Sequence, residues 1–144
     1  MVSVDDVAAY ILARKGPMSA MKLQKLVYYS QAWSLVWDDA PLFGERIEAW
    51  ASGPVCPHVW DHHRGQFELS APWQWGDADR LSADEGATVD AVLDYYADRS
   101  AQWLSDLTHT ERPWVEARSG LPPGARGSRE IALDGMADYY AGLT

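Results

Sequence analysis

The longest uninterrupted apolar stretch of the chain runs from Lys22 to Trp37, with the sequence KLQKLVYYSQAWSLVW. It contains no Gly or Pro, and its Leu, Lys and Gln residues favour helix, so it predicts one helix of about four turns. When the stretch is wound at about 100° per residue, apolar side chains cover nearly every side, and only Gln24 and Gln31 mark a narrow line that is expected to face water. Lys22 and Lys25 lie near the helix start, where long stems can snorkel to water. A helix that is apolar on nearly all sides is usually buried, so we expect this one to form the centre of the core.

Two other interpretations of this stretch are weaker. A membrane span needs about 20 apolar residues, whereas this run carries two Lys and two Gln. Its aromatic residues could line a cofactor pocket, but aromatic residues at helical spacing more often belong to a core.

Capping residues and helix breakers place the other helices. Ser3 with Asp6 approximates a capping box, and Gly16-Pro17 stops the helix that it begins. Ser82 with Glu85 forms a full capping box before a long helix. The remaining helix starts are predicted at Ser19, Pro57, Ser100, Pro113 or Trp114, and about Leu133.

Strand patterns are short. Residues 46–51 alternate, with Ile47, Ala49 and Ala51 on one face, and predict an extended strand that Gly53-Pro54 ends. A second extended piece is predicted at residues 67–69, inside a long loop.

Residues 119–128, SGLPPGARGS, form the most flexible-looking loop of the chain. No internal repeat divides the 144 residues, a length that suits one domain with a real core. The predicted fold is therefore mainly α: a single helical domain over residues 1–144, built around a buried central helix, with one or two short β-strands.

Composition narrows the classes of function. Hydrophobic residues make up 47% of the chain, too many for a disordered protein. The formal net charge is −9, so the chain is not expected to bind nucleic acid directly, because phosphates repel carboxylates. Eight Trp and seven Tyr exceed the need of a core this size, so several are expected to line a surface that contacts a partner.

Cysteine usage and the N-terminus indicate a compartment. The single cysteine, Cys56, excludes an internal disulfide framework and fits a reducing environment. The first residues, MVSVDDVAAYILARKG, are acidic ahead of their apolar part, which is the reverse of a secretory signal peptide. We therefore expect a cytoplasmic protein.

Candidate catalytic chemistry is sparse. His58 and His62 stand at i and i+4 on a predicted helix and could hold a metal, with Glu68 or His109 as a third ligand, although a structural role for the pair is the stronger interpretation. Cys56 with His58 could form a nucleophile and base, but no orienting third group is evident. Carboxylates are expected on solvated faces, with none paired for acid–base work. The residues therefore favour a binding module without a cofactor over an enzyme.

The segment THTERPW at residues 108–114 predicts a structural corner that borders a binding face. His109 can hold a helix C-terminus, and Thr110 can cap the helix that follows. Trp114 can bury its ring while its indole N–H stays hydrogen-bonded.

Three stretches, in this order, resemble the Panacea domain, a family of phage-associated GepA-like and SocA-like proteins. They are KLQKLVYYSQAW at residues 22–33, PLFGERIEAWASGPVCPHVW at residues 41–60 and LTHTERPWVEAR at residues 107–118. The resemblance covers the chain from the first helix to about Arg118 and is weakest from Gly120 onward. It implies an antitoxin of a bacterial or prophage toxin–antitoxin pair, which neutralises a cognate protein toxin, encoded beside it, by direct contact. Some family members carry an extra DNA-binding domain, for which this chain offers no room.

Five of the residues that match the family's motifs are predicted to lie near a partner-binding face: Lys25, Trp50, Pro54, His109 and Trp114. The surplus of Trp and Tyr suits interface anchors, and the acidic charge suits a basic toxin. Two alternatives stay open: a protease adaptor that delivers a client protein, and a metal-dependent hydrolase that uses His58 and His62. Exposed aromatic residues also make a homodimer an expectation.

Overall fold

The computed structural model describes all 144 residues and confirms a mainly α fold with a few short strands. The helices are α1 (Val4–Lys15), α2 (Ala20–Trp37), α3 (Pro57–His63), α4 (Ala83–Tyr96), α5 (Ala101–Thr108), α6 (Arg112–Ala117) and α7 (Leu133–Ala141). The strands are β1 (Met18–Ser19), β2 (Glu48–Trp50), β3 (Gly53–Val55) and β4 (Glu68–Leu69), with one 3-10 turn at Ala78–Arg80. Strand β1 pairs antiparallel with β4, and β2 pairs antiparallel with β3.

Most helix starts follow the predicted caps. A serine hydroxyl accepts a backbone N–H three residues on at the start of four helices: Ser3, Ser19, Ser82 and Ser100. The prediction that Thr110 caps the next helix is wrong. The N-cap position of α6 is Glu111, and the Thr110 hydroxyl donates back to the carbonyl oxygen of Leu107 at 2.8 Å.

Helix α2 is the centre of the core, as its apolar pattern predicted. It packs against α1, α4, α5 and α7, and most of its first three turns are buried. Burial of a leucine side chain such as Leu23 or Leu26 contributes about 2 kcal/mol. Only the last turn emerges, where the Trp37 side chain is 48% exposed.

The prediction that Gln24 and Gln31 form a polar line facing water is wrong, because both are buried. The Gln24 amide accepts the Cys56 N–H at 2.8 Å and donates to the Cys56 carbonyl at 3.3 Å. The Gln31 amide accepts from Leu42 N at 2.7 Å and donates to Phe43 O at 2.9 Å. Each glutamine thus satisfies backbone groups of the segment between α2 and α3, which would otherwise be buried without partners.

The β2–β3 hairpin is fixed on both sides. The prediction that Gly53-Pro54 ends the strand is wrong in part, since Gly53 begins β3 with a φ of +118°, a conformation that favours glycine. On the other edge of β2, Ala49 N donates to Arg129 O at 2.8 Å. The 119–128 loop forms no helix or strand, and the buried Arg118 guanidinium donates to the Ala125 carbonyl within it.

None of the seven helices combines the length and the apolar surface that crossing a bilayer requires.

Candidate functional site

Four of the five predicted partner-binding residues lie in the β2–β3 hairpin or against it: Trp50, Pro54, His109 and Trp114. The indole N–H of Trp114 donates to the Trp50 carbonyl at 2.8 Å, and His109 Nε2 lies 2.9 Å from the Ala51 carbonyl oxygen. The rings of His109 and Trp114 are in contact, with centroids 4.1 Å apart. The hairpin is therefore held by the corner that ends α5 and begins α6, as the two motifs together suggested.

The side chain of Lys25, on α2, contacts the same hairpin at Gly53. A Cβ atom added to Gly53 would lie 2.6 Å from Lys25 Cε, too close for any side chain, so glycine at this position makes room for the lysine stem. The prediction that the Lys25 amine snorkels to water is wrong, since the residue is only 1% exposed.

The amine of Lys25 is the only buried polar side-chain group of the chain that has no hydrogen-bond partner. It also has no salt bridge, although the chain is rich in carboxylates. Burial alone lowers the pKa of Lys25 from 10.5 to about 7, because a low-dielectric surrounding disfavours the charged form. An unpaired buried group of this kind needs a physical explanation, and a hydrogen bond to a binding partner is one.

Lys25 lines the floor of a cleft of about 440 Å³, which we call the Lys25 cleft. Two aromatic rings lie on its rim, the exposed ring of Phe67 and the half-buried ring of Trp60. The rim also carries hydroxyl and amide side chains, from Ser19, Ser52, Ser105, Gln66 and Gln102. The rings of Trp50 and Trp60 meet edge to face at 5.4 Å, which connects the hairpin to this rim.

The five predicted residues differ in exposure. Trp50, His109 and Trp114 are half-buried, so their rings can contact a partner only in part. Pro54 is buried within β3 and is a structural member of the hairpin, while Lys25 is accessible only through the cleft. The structure thus brings all five to one place without exposing all five.

A second cleft, the aromatic groove, has a volume of about 620 Å³ and nearly all-apolar walls. Its one acidic side chain is Glu111, which sequence reasoning expected to be solvated and which is only 4% exposed. Glu111 Oε1 accepts hydrogen bonds from the hydroxyls of Tyr29 and Tyr140, both at 2.7 Å. Desolvation raises the pKa of Glu111, and the two donors oppose that shift because they favour the ionised form.

His58 and His62 meet a carboxylate that sequence reasoning did not include. His58 Nε2 lies 2.8 Å from Asp5 Oδ2, and His62 Nδ1 lies 3.0 Å from Asp5 Oδ1. Trp73 also donates its indole N–H to Asp5 Oδ1, at 3.0 Å. The third member of this group is thus Asp5 of α1, and the expectation of Glu68 or His109 is wrong.

The Asp5 carboxylate can fill its hydrogen-bonding capacity with protein donors, without a metal. Three N–H donors can reach the carboxylate, so α3 and the loop that carries Trp73 are joined to the first turn of α1. The possible ligand atoms of Asp5, His58 and His62 lie within 4.8 Å of one another. Asp5 could therefore serve as the third ligand of a metal, and metal binding stays a hypothesis.

Cys56 lies beside the site but is a poor nucleophile. It is 1% exposed, and burial raises the pKa of its thiol to about 11, so the thiolate is scarce at neutral pH.

Comparison with known protein families gives one match. Residues 23–115 match the family described as Antitoxin SocA-like, Panacea domain. The match covers more than half of the chain, and the chain therefore belongs to this family of SocA-like antitoxins. It begins in α2, so α1 lies outside it, contrary to the extent that the resemblance suggested. Searches of the curated proteins and of the solved structures gave no match.

Proposed function

We propose that this protein neutralises a cognate protein toxin by binding it directly, and that it acts as a binding module rather than as an enzyme. Family membership supports an antitoxin role in general. All five predicted contact residues lie within the matched part of the chain, around one hairpin.

The unpaired amine of Lys25 is the observation that carries the proposal. Burial of an amine without a partner costs several kcal/mol, about what its pKa displacement to about 7 represents. A core position that served stability alone would be better filled by an apolar side chain of similar size. A carboxylate or carbonyl oxygen of a bound partner, entering through the Lys25 cleft, would satisfy the amine.

The surroundings of the cleft suit a protein partner. Trp50, Trp60 and Phe67 supply aromatic anchors beside polar rim groups, a composition typical of interfaces. The net charge of −9 would steer a basic toxin toward the protein. The raised pKa of the Cys56 thiol supports a role other than nucleophilic catalysis.

The first experiment is co-expression of the tagged chain with each of its genomic neighbours, followed by pull-down and mass spectrometry. We expect one small neighbour to co-purify in stoichiometric amount, to arrest growth when expressed alone, and to be neutralised when this chain is present. A set of neighbours that are all harmless, or none of which binds, would contradict the proposal.

The second experiment assigns the contact. Lys25→Met should abolish rescue of growth, whereas Lys22→Met, the same change three residues earlier on α2, should leave it intact. If Lys25→Met rescues as well as the parent protein, the Lys25 cleft is not the contact. The half-life of the toxin in cells separates direct neutralisation from a protease adaptor, because only an adaptor would shorten it.

A further inference from the structure

The aromatic groove is an exposed surface that the folded chain leaves without a partner. Its walls come mainly from α2, α4, α5 and α7, and only one of its ten lining residues, Glu111, is acidic. The ten lining residues are Trp33, Trp37, Ala91, Val92, Tyr95, Tyr96, Leu107, Glu111, Tyr139 and Leu143. Large apolar side chains on its edge face water, with Tyr95 65%, Leu143 56% and Trp37 48% exposed. A grouped apolar patch of this kind marks an interaction site more often than isolated surface residues do.

The acidic residue in the groove has unused hydrogen-bonding capacity. Both tyrosine donors, Tyr29 and Tyr140, bind the same oxygen of Glu111, and Oε2 accepts no hydrogen bond from the protein. Oε2 therefore keeps some contact with solvent, because Lys25 Nζ is the only fully buried polar side-chain atom without a hydrogen-bond partner. A partner that covered the groove with apolar groups alone would bury this oxygen unsatisfied, which is unfavourable.

The groove walls favour a cation in particular. The negative faces of Trp and Tyr rings attract guanidinium and ammonium groups, best where water is excluded. The chain already shows this preference nearby, with the Arg112 guanidinium 5.5 Å from the centre of the Tyr139 ring. Arg112 is also 3.7 Å from Glu116 and lies outside the groove lining, so it does not occupy the groove itself.

We propose that the aromatic groove binds an arginine side chain, flanked by apolar residues, of a protein partner. The guanidinium would lie against the rings of Trp37 and Tyr95 and donate to Glu111 Oε2, while the apolar neighbours of the arginine cover the groove edge. The proposal concerns a surface distinct from the Lys25 cleft and does not require that the partner be a toxin. The groove depends on α7, which lies outside the residues that match the family.

The probe is a short peptide, acetyl-Leu-Arg-Leu-amide, compared with the same peptide in which citrulline replaces arginine. Citrulline keeps the planar shape and length of arginine, but a carbonyl oxygen replaces one nitrogen of the guanidinium, so it carries no charge and has fewer N–H donors. Titration into 15N-labelled protein, followed through the indole N–H signals of Trp33 and Trp37, should give saturable shifts with the arginine peptide. The citrulline peptide should bind at least about tenfold more weakly, since it lacks both the charge-assisted hydrogen bond and the cation–π contact.

Three variants localise the binding. Glu111→Gln keeps an oxygen for the two tyrosine hydroxyls and should remove the preference for arginine over citrulline. Tyr95→Ala, at an exposed position, should weaken binding without affecting the fold. Trp103→Ala removes an exposed aromatic ring outside the groove and should change nothing.

Several results would overturn the proposal. Equal affinity for the two peptides would show that charge is not recognised, and the absence of saturable shifts at Trp33 and Trp37 would show that the groove does not bind the probe. If the protein dimerises and Tyr95→Ala dissolves the dimer, a second copy of the chain occupies the groove instead. If Glu111→Gln does not fold, the peptide pair and Tyr95→Ala still decide the question. The tests need only the purified chain, so their outcome is independent of whether a toxin is found.

Discussion

The Lys25 cleft and the aromatic groove each contain one buried charged residue, and the two residues are treated oppositely. Lys25 carries an amine with no hydrogen-bond partner in the protein, in a cleft with a largely polar rim. Glu111 is an anionic side chain with two tyrosine donors, in a groove with aromatic walls. Both are linked to α2, through Lys25 itself and through Tyr29 one helical turn later. The fold therefore uses one of these groups as part of its own structure and leaves the other unsatisfied.

This difference separates a buried group that the fold itself satisfies, at one of its two oxygens, from a buried group that only a partner can satisfy. Replacement of a partnered buried charge leaves its partners unsatisfied, whereas replacement of an unpartnered one removes a cost. Stability measurements alone can therefore separate the two roles before any partner is known.

The largest expected effect is the loss of stability in Glu111→Ala. The change leaves the Tyr29 hydroxyl, and one hydroxyl of the hydrogen-bonded pair Tyr28 and Tyr140, without an acceptor in a buried place. We expect the free energy of unfolding to fall by about 3–5 kcal/mol, measured by urea denaturation. Glu116→Ala, on the same helix and with its side chain 70% exposed, is the matched control and should change stability little. An equally small effect of Glu111→Ala would mean that the tyrosine network does not depend on the carboxylate.

The next effect has the opposite sign. Lys25→Met replaces an unpaired buried amine with an apolar side chain of similar length, and should stabilise the isolated chain by about 1–3 kcal/mol. Lys22→Met should leave stability nearly unchanged, since Lys22 is only half-buried. The variant is expected to lose partner binding while it gains stability. A loss of stability in Lys25→Met would show that the amine has a structural role after all.

The pH dependence of that stabilisation is a smaller and sharper test. Lys25 has a pKa of about 7 in the folded chain and 10.5 as its ordinary value, so between pH 7 and 9 the unfolded state binds more protons than the folded state. The stability of the parent protein should therefore rise with pH, relative to that of Lys25→Met, by up to about 1.4 kcal/mol per pH unit. The advantage of the variant should shrink accordingly when urea midpoints are compared across this range.

Other titrating groups do not confuse this window. The pKa of His63 is lowered by burial, and the pKa values of Cys56 and the buried tyrosines are raised, but both proteins contain these groups, so their contributions cancel in the comparison. If the gap between the two proteins stays constant from pH 7 to 9, the amine of Lys25 is not held neutral by burial.

Sequence reasoning was strong where local chemistry decides the structure. The serine caps, the Gly16-Pro17 stop and the apolar circumference of α2 act within a few residues, and all three were confirmed. The clustering of Trp50, His109 and Trp114 depended on two motifs that the family resemblance had already joined.

Sequence reasoning failed where a polar residue finds a distant partner. Gln24, Gln31 and Glu111 look solvated by residue type, yet each is buried because its partners come from elsewhere in the chain, at separations of up to 82 residues. Asp5 escaped notice for the same reason, since its contacts with His58 and His62 span more than 50 residues. One signal was available in the sequence. A glutamine inside an otherwise apolar helix must either face water or be buried with hydrogen-bond partners, and the expected burial of α2 on all sides favoured the second.

The smallest expected effect is the coupling between the two buried charges. Lys25 and Glu111 form no salt bridge and share no hydrogen-bond partner, and burial is the only cause of the lowered pKa of Lys25. A double-mutant cycle with Lys25→Met and Glu111→Gln should therefore give a coupling energy below about 0.5 kcal/mol. A coupling above about 1 kcal/mol would mean that the two groups stabilise each other through the core, and the two surfaces would then not be independent. If the coupling is small, the two surfaces are energetically independent. The double variant should then bind a partner that contacts both surfaces more weakly by the product of the two single effects.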